Sequence, residues 1–247
     1  MSFQNKVVIV TGASAGIGAA TAVHFAKEGA SVVVVGRNEA RLQEVAAKCT
    51  AVGSAPLVVK ADVSNDDDAK RIISETINKF GKLDVLVNNA GVIAYGTLLD
   101  GKILESFDKC VAVNLRAMIH TSMLAANHLV KTKGNIVNIS SILGQFHVSP
   151  FVNGYASSKA GLNHFTRGGA KELAEHGVRM NVVSPGPVDT AMLDDFGASA
   201  GVQEVKTALG RVSQADELAD LILYVASDKA KGVTGSVFVA DNGISLV

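Results

Sequence analysis

The chain has 247 residues, of which 48% are hydrophobic and 19% are charged, and its 23 basic and 23 acidic side chains cancel at neutral pH. This balance excludes an electrostatic case for a nucleic-acid or anionic-membrane partner, and no apolar stretch reaches the roughly 18 residues that a membrane span needs. The first residues do not resemble a secretory signal, and two cysteines are too few for a disulfide framework, so we expect a cytoplasmic location.

Short β-branched runs alternate with longer helical patterns along the chain, which is typical of βαβ units around a parallel sheet. The sequence therefore predicts an α/β fold with a doubly wound, seven-stranded sheet. The predicted strands span 6–12, 31–36, 56–62, 83–89, 134–140, 178–184 and 236–241. No linker, internal repeat or low-complexity tract interrupts the pattern, so we predict that residues 1–247 form one domain.

Three of the predicted helices have readable start signals. Asn38 precedes an amphipathic segment and is predicted to cap it. Ser64 with Asp67, and Ser213 with Asp216, have the spacing of capping boxes. Each signal predicts the residue at which a helix begins.

The two cysteines and one long irregular segment also bear on the predicted fold. Cys49 and Cys110 lie in apolar helical patterns, and we expect both to be reduced core residues. The segment 185–212 lacks a clear helix or strand pattern, and irregular segments of this length are usually lids or binding loops.

The first strand runs into a glycine-rich stretch, "TGASAGIG", at residues 11–18. Glycines there permit a tight turn and let the following helix N-terminus approach a pyrophosphate, which the exposed N–H groups and the helix dipole stabilise. The alternative is a plain tight turn with no ligand. The pattern favours a dinucleotide site.

The end of the second predicted strand bears on which dinucleotide binds. A dinucleotide fingerprint usually has an acidic residue there for the ribose 2′-hydroxyl, whereas this chain has Gly36 followed by Arg37. An arginine can grip a 2′-phosphate bidentately. We therefore predict NADP(H) over NAD(H), with NAD(H) possible if Arg37 is only a solvated surface side chain.

Tyr155 and Lys159, in the stretch "YASSK", are four residues apart and share one face of a predicted helix. This spacing suits a pair in which a lysine tunes a tyrosine. A tyrosine and a lysine at this spacing often occur together by chance, so the alternative is an exposed helix surface. The other motifs have to distinguish these two interpretations.

Six motifs together resemble the short-chain dehydrogenase/reductase family, whose simplest members are single-domain Rossmann enzymes of about 250 residues. The resemblance covers essentially the whole chain. The motifs are "TGASAGIG" (11–18), "NNAG" (88–91), "VNL" (113–115) within a predicted long helix, "NISSILG" (138–144), "YASSK" (155–159) and "PGPVDT" (185–190).

The resemblance implies catalytic roles. Tyr155 would be the acid/base, and Ser141, with Ser140 as its rival, would hydrogen-bond the substrate carbonyl. Lys159 would hold the nicotinamide ribose and lower the pKa of Tyr155, and Asn114 would anchor a water in a proton relay. Coulomb's law allows about 3 kcal/mol for an ammonium at roughly 5 Å in an effective dielectric of about 20.

The resemblance also implies a cofactor site. A subgroup of NADP-dependent relatives has a basic residue where this chain has Ala15, so the grip on a 2′-phosphate would rest on Arg37 and its neighbours. The predicted cofactor residues are Gly12, Ser14, Gly16, Ile17, Gly18, Arg37, Asp62, Val63, Asn89, Gly91, Tyr155, Lys159, Pro185, Val188 and Thr190.

By the same resemblance, a mostly apolar substrate pocket lies outside the strand ends. It favours a hydrophobic ketone or aldehyde such as a lipid, isoprenoid, steroid or xenobiotic carbonyl. The predicted pocket residues are Ile93, Leu143, Gln145, Phe146, His147, Phe151, Met192 and Phe196. No histidine has metal-ligand spacing, so no metal site is predicted.

Two alternatives stay open. A 3-oxoacyl-[acyl-carrier-protein] reductase would want basic residues near the pocket entrance for its acidic partner, and only Arg116 and Arg167 are candidates. A non-catalytic dinucleotide sensor or scaffold should have lost Tyr155, Lys159 or Ser141, and none is lost. By resemblance, helices near 103–130 and 153–175 would form the subunit contacts of a homotetramer.

Overall fold

Parallel strands alternate with helices along the computed structural model, which describes residues 2–146, 149–192 and 206–247. The strands are β1 (Val7–Thr11), β2 (Ser31–Gly36), β3 (Leu57–Lys60), β4 (Val85–Asn88), β5 (Asn135–Ile139), β6 (Arg179–Pro185) and β7 (Val237–Ala240). The helices are α1 (Gly16–Lys27), α2 (Glu39–Val52), α3 (Asp66–Phe80), α4 (Ile103–Val111), α5 (Ala117–Thr132), α6 (Asn153–Ala174) and α7 (Ala215–Ala226). Each predicted strand is confirmed.

The seven strands form one parallel sheet in the order β3-β2-β1-β4-β5-β6-β7. The chain builds outward from β1 to β3 and then crosses back to place β4 on the other side of β1. At this reversal the carboxyl ends of β1 and β4 open a crevice, which is where doubly wound sheets bind ligands. The predicted α/β class is confirmed.

The central strands are buried on both faces, as their runs of valine and isoleucine predict. In β1, Val8 and Val10 pack into the same apolar cluster as Phe25 of α1. Ile9 points to the opposite face and joins the cluster that contains Leu129 of α5. Burying each such side chain contributes about 1.5–3 kcal/mol, so both helical layers fix the strand ends that bound the crevice.

The start of α2 is as predicted, whereas the start of α3 lies one residue later than predicted. Asn38 accepts a hydrogen bond from the Arg41 amide. In α3 the cap is Asn65, which accepts from two backbone amides of the first turn. The Ser64 hydroxyl instead donates to the Asp62 carboxylate at 2.7 Å.

The predicted box at α7 is also displaced by one residue. Gln214 is the cap, and it forms a reciprocal capping box with Glu217. The hydroxyl of Ser213 is instead bonded by the Asn242 side-chain amide at 2.8 Å. Ser64 is thus engaged by a neighbour in sequence and Ser213 by a residue from a distant part of the chain.

Between α4 and α5 the helix widens into a π-helical turn, Ala112–Arg116. The "VNL" motif therefore does not lie in regular α-helix as predicted. Such turns are frequent at functional sites, and this one holds the fully buried Asn114.

Both cysteines are free and buried, which confirms the prediction. Within the part of the chain that the structure describes, no helix has the length and apolarity that crossing a membrane requires.

Candidate active site

A cavity of about 520 Å³ lies at the carboxyl ends of β1, β4, β5 and β6. It places the glycine loop, "NNAG", the end of β5 and the "YASSK" helix around one space. The predicted cofactor residues that line it are Gly12, Ser14, Gly16, Ile17, Arg37, Asp62, Val63, Asn89, Gly91, Tyr155, Lys159, Pro185, Val188 and Thr190.

The glycine loop is held by close contacts that only small residues allow. Gly16, the first residue of α1, has a φ of +54°, which favours glycine. A Cβ on Gly18 would overlap the Gly12 carbonyl oxygen and the Asn89 side-chain amide, so Gly18 shapes the loop and does not line the cavity. Asn89 secures the turn by donating to the Thr11 oxygen at 2.9 Å.

The start of α1 fits an anionic group. Ala15 precedes the helix and supplies no side-chain cap, and the first turn has no acidic residue. The N–H groups at this end consequently lack a side-chain acceptor and border the cavity through Ala15, Gly16 and Ile17. Together with the helix dipole they suit the pyrophosphate of a dinucleotide.

Arg37 borders the cavity at the end of β2, and its side chain is 70% exposed. Its guanidinium Nη1 lies 3.7 Å from a carboxylate oxygen of Asp62. Burial opposes ionisation of Asp62, but hydrogen bonds from Ser64 and the charge of Arg37 hold the pKa of Asp62 below its usual value. Asp62 therefore lies close enough to compete with a 2′-phosphate for Arg37, the residue predicted to bind that phosphate.

Tyr155 and Lys159 lie on the inner face of α6, and both are buried, with exposures of 7% and 3%. The Lys159 Nζ is 5.7 Å from the centroid of the Tyr155 ring. The same nitrogen donates to the Ile139 carbonyl oxygen at 2.8 Å. The exposed-surface alternative for this pair is thus excluded, because both side chains face the cavity.

The structure separates the two serines at the end of β5. Ser141 hydrogen-bonds the Tyr155 side chain, and its Oγ accepts from the Leu143 amide at 3.2 Å. Ser140 instead donates to the Lys159 backbone oxygen at 3.3 Å. Only Ser141 is in contact with the tyrosine hydroxyl, as the preferred assignment requires.

The ionisation of the pair differs from the prediction. Burial raises the pKa of Tyr155 to about 12, and the hydrogen bond with Ser141 opposes this effect without overcoming it. Burial also lowers the pKa of Lys159 to about 8. The pKa of Tyr155 in the protein chain by itself is thus raised and not lowered, because loss of water disfavours the charged form of each group. That the charge of Lys159 favours the tyrosinate stays a prediction.

Asn114 sits beneath this pair and has no exposed surface. Its Oδ1 accepts from the Val92 amide at 2.8 Å, and its Nδ2 donates to the Val92 oxygen at 2.9 Å. A second bond runs from Nδ2 to Ser158 Oγ at 3.1 Å. The π-helical turn thus directs the amide of Asn114 toward the strand end and α6.

The predicted substrate residues divide into three groups. Ile93, Leu143 and Met192 line the cavity. Gln145 bonds Ser184 at 3.4 Å, and Phe146 and Phe151 are 43% and 44% exposed; none of these three lines it. The last two, His147 and Phe196, lie outside the described residues.

The sequence reading missed several residues of the cavity wall. Lys206 and Ile244 line the cavity. Lys206 lies in the segment 185–212, which the sequence predicts to be a lid or binding loop, but it is not among the predicted site residues, and no local pattern marks Ile244. Further residues missed are Gly36, Ala61, Ala90, Val113, Ile142, Gly186, Pro187 and Ala191.

Comparison with known proteins supports the family resemblance independently of the geometry of the site. A family model described as Enoyl-(Acyl carrier protein) reductase matches residues 12–245. The 3-oxoacyl-[acyl-carrier-protein] reductase of Thermotoga maritima is 34% identical over 248 residues, covering 100% of both chains. Cyclohexanol dehydrogenase of an Acinetobacter species is 32% identical, covering 97% of this chain and 94% of the relative.

A solved structure is similar over its whole length. The short chain dehydrogenase of Burkholderia cenocepacia in complex with NADP matches with a TM-score of 0.92 at 34% identity, covering 99% of this chain and 100% of that one. Relatives with such different named substrates share one architecture, so the match establishes a class of chemistry more firmly than a substrate.

Proposed function

The chain belongs to the short-chain dehydrogenase/reductase family of oxidoreductases, and from that membership we propose that it is an NADP(H)-dependent enzyme interconverting a hydrophobic carbonyl compound and its alcohol. One observation carries the proposal. Ser141, Tyr155 and Lys159 converge on a cavity whose other end is formed by the glycine loop. A proton donor, its hydrogen-bond partner and a cation thus share one space with a dinucleotide cradle.

The proposed chemistry divides between cofactor and protein. A bound nicotinamide dinucleotide would supply or accept the hydride. Tyr155 holds its proton at neutral pH and would donate it to a carbonyl oxygen as charge develops there. Ser141 would offer a second hydrogen bond to the same oxygen by turning its one hydrogen from the Tyr155 oxygen to the substrate, while its Oγ accepts from the Leu143 amide.

Lys159 and Asn114 would support that proton transfer. The ammonium of Lys159 would hold the nicotinamide ribose and, by its charge, favour the tyrosinate that remains after donation. Asn114 would anchor a water in a relay to solvent. Both roles are proposed from the family resemblance, and the buried positions of the two side chains support them.

The substrate class rests on the apolar wall beside Tyr155. Tyr155 packs with Ala94, Cys110 and Val152 in a small apolar cluster, against which Ile93 and Leu143 also pack. Such a wall favours a hydrophobic ketone or aldehyde over a sugar or another polar carbonyl.

A carrier-bound 3-oxoacyl substrate is the second candidate, favoured by the Thermotoga maritima relative and by Lys206 at the cavity wall. Arg116 weakens this candidate, because both its terminal nitrogens are bonded to Asp66 at 2.7 and 2.8 Å. A guanidinium in a bidentate pair is less available to an acidic carrier protein.

A panel of carbonyl substrates, assayed with NADPH and with NADH, tests the proposal. The panel holds hydrophobic ketones and aldehydes, small polar carbonyls, and a 3-oxoacyl thioester both on carrier protein and as a short thiol ester. We expect the highest kcat/KM for a hydrophobic carbonyl with NADPH. Preference for the carrier-bound thioester over its short thiol ester would replace the first candidate by the second.

Arg37→Ala tests the cofactor preference. Loss of a charged hydrogen bond to a 2′-phosphate costs about 1.5–3 kcal/mol, so we expect NADPH affinity to fall roughly 10- to 100-fold and NADH affinity to stay unchanged. Asp62→Asn removes the competing carboxylate and should raise the NADPH-to-NADH affinity ratio. Fluorescence of the bound reduced nicotinamide measures both affinities.

The matched control for this charge change is Arg167→Ala, which removes an exposed arginine from α6. It should leave both affinities unchanged. Equal losses of NADPH and NADH affinity in Arg37→Ala, or no loss at all, would contradict the assignment of Arg37 to the 2′-phosphate.

We also propose a homotetramer in the cytoplasm, on the family resemblance. The side chains of Leu104 and Phe107 on α4 are 71% and 39% exposed, and Met123 on α5 is 62% exposed. Apolar side chains at these positions suit subunit contacts. Size-exclusion chromatography that gives a monomer would remove this part of the proposal.

A further inference from the structure

Ser158 lies between the two residues of the "YASSK" pair and has no solvent exposure. Its hydroxyl donates to the Tyr155 backbone oxygen at 2.6 Å. Because its single hydrogen is used there, its oxygen can only accept, and it accepts from Asn114 Nδ2 at 3.1 Å. Ser158 thus ties the π-helical turn to the helix that carries Tyr155 and Lys159.

The contacts of Asn114 determine which way its amide points. Val92 contributes one N–H and one carbonyl, which pair with Oδ1 and Nδ2 respectively. Ser158 takes the second hydrogen of Nδ2. A reversed amide would face the Val92 N–H with another donor and the Ser158 oxygen with an acceptor, so all three contacts select one orientation.

In that orientation Oδ1 borders Gly91, which Lys159 Nζ also borders. A Cβ built on Gly91 would lie 3.4 Å from Asn114 Oδ1 and 3.7 Å from Lys159 Nζ. The two atoms therefore border the same small space. An oxygen there favours the ammonium form of Lys159, either directly or through a water.

We propose that Ser158 is a positioning residue for the proposed reaction, because it holds the Asn114 amide so that its oxygen faces the space beside Lys159. The inference rests on the proposed function. It gives Ser158 a role distinct from that of its neighbour Ser157, which lies on the exposed face of the same helix. The two serines therefore supply a matched pair of variants.

Ser158→Ala leaves one hydrogen of Asn114 Nδ2 without an acceptor and removes one of the three contacts that hold the amide, so that the amide is held less firmly by Val92 alone. We expect kcat for carbonyl reduction to fall about 10-fold, the amount that one net hydrogen bond supports. KM and the dissociation constant for NADPH should change less than twofold, because Ser158 does not line the cavity.

A shift in the pH profile separates positioning from a structural role. Reduction requires the Lys159 charge, which is present below the pKa of about 8 and lost above it. Without Oδ1 beside it the ammonium is less favoured, so the alkaline limb in Ser158→Ala should move to lower pH by about half a unit. The titratable groups that face Lys159, Tyr155 on α6 and Cys110 on α4, are unchanged in this variant.

Ser157→Ala should leave kcat and the pH profile as in the wild type, and Ser158→Thr should restore the alkaline limb by restoring the hydroxyl. Thermal unfolding monitors the fold of each variant. A Ser158→Ala profile that coincides with wild type, or a loss of rate with no movement of the limb, would overturn the inference. Turnover that survives in Tyr155→Phe would instead overturn the proposed function, so the two failures are distinguishable.

Discussion

Tyr155→Phe is expected to lower kcat for carbonyl reduction by about 10²- to 10⁴-fold, the usual range for a general acid. The substitution removes one hydroxyl and keeps the ring, which packs in an apolar cluster with Ala94, Cys110 and Val152. Folding and NADPH binding should therefore be almost unchanged. Steady-state kinetics, with NADPH fluorescence for binding, separate the loss of chemistry from any loss of affinity.

Tyr224→Phe is the matched control, since it removes a tyrosine hydroxyl from the outer surface of α7, where that side chain is 39% exposed. Its kcat should equal that of the wild type. Near-normal turnover in Tyr155→Phe on the best substrate would show that another group donates the proton, and the proposed mechanism would then be wrong.

Lys159→Met is expected to lower kcat about 100-fold and to weaken NADPH binding. Methionine keeps much of the buried aliphatic stem but removes the ammonium, which bonds the Ile139 oxygen at 2.8 Å. The tyrosinate left after proton donation would then lack its nearby cation, whose contribution by Coulomb's law is about 3 kcal/mol at an effective dielectric of about 20. Kinetics and binding on the same preparation measure both effects.

Lys171→Met, on the exposed face of the same helix, serves as the control and should behave as the wild type. The pH dependence supplies a second criterion. The rate of reduction should decline as pH rises through about 8, where Lys159 loses its proton. In Lys159→Arg the guanidinium stays charged, so whatever activity it keeps should decline only at higher pH. An unchanged limb in this variant would exclude Lys159 as its origin.

The sequence predicted the fold well and named most of the residues that line the cavity, because both depend on local patterns. The β-branched runs locate all seven strands, and the βαβ alternation predicts the parallel sheet that they form. The four-residue spacing places Tyr155 and Lys159 on one face of α6, and the structure turns that face inward. The order of the motifs, through the family resemblance, assigned Ser141 and Asn114 to the same site as Tyr155 and Lys159.

Features set by distant contacts were not predictable in this way. Ser213 has a good local capping signal, yet the side-chain amide of Asn242 bonds its hydroxyl and Gln214 caps the helix instead. No motif marks Ile244, which reaches the cavity only through the folding of the chain.

The electrostatics of the site show the same limit. The four-residue spacing of Lys159 and Tyr155 predicts an attraction between the ammonium and the tyrosinate. It does not predict the burial that raises the pKa of Tyr155 to about 12. Nor could it show that Nζ is bonded to the oxygen of Ile139. Desolvation depends on the whole surrounding structure, so its effect on a pKa cannot be predicted from sequence spacing.

Isotope transfer tests the central claim most directly. NADPH carrying deuterium on one face of its nicotinamide C4 is incubated with the best ketone from the panel, and the alcohol is analysed by mass spectrometry and NMR. The proposed mechanism predicts that NADPH labelled on one of the two C4 faces delivers its deuterium to the carbinol carbon and that NADPH labelled on the other face does not. The hydroxyl proton should come from solvent. Alcohol whose carbinol hydrogen derives from solvent, or no alcohol from any carbonyl with either cofactor, would contradict it.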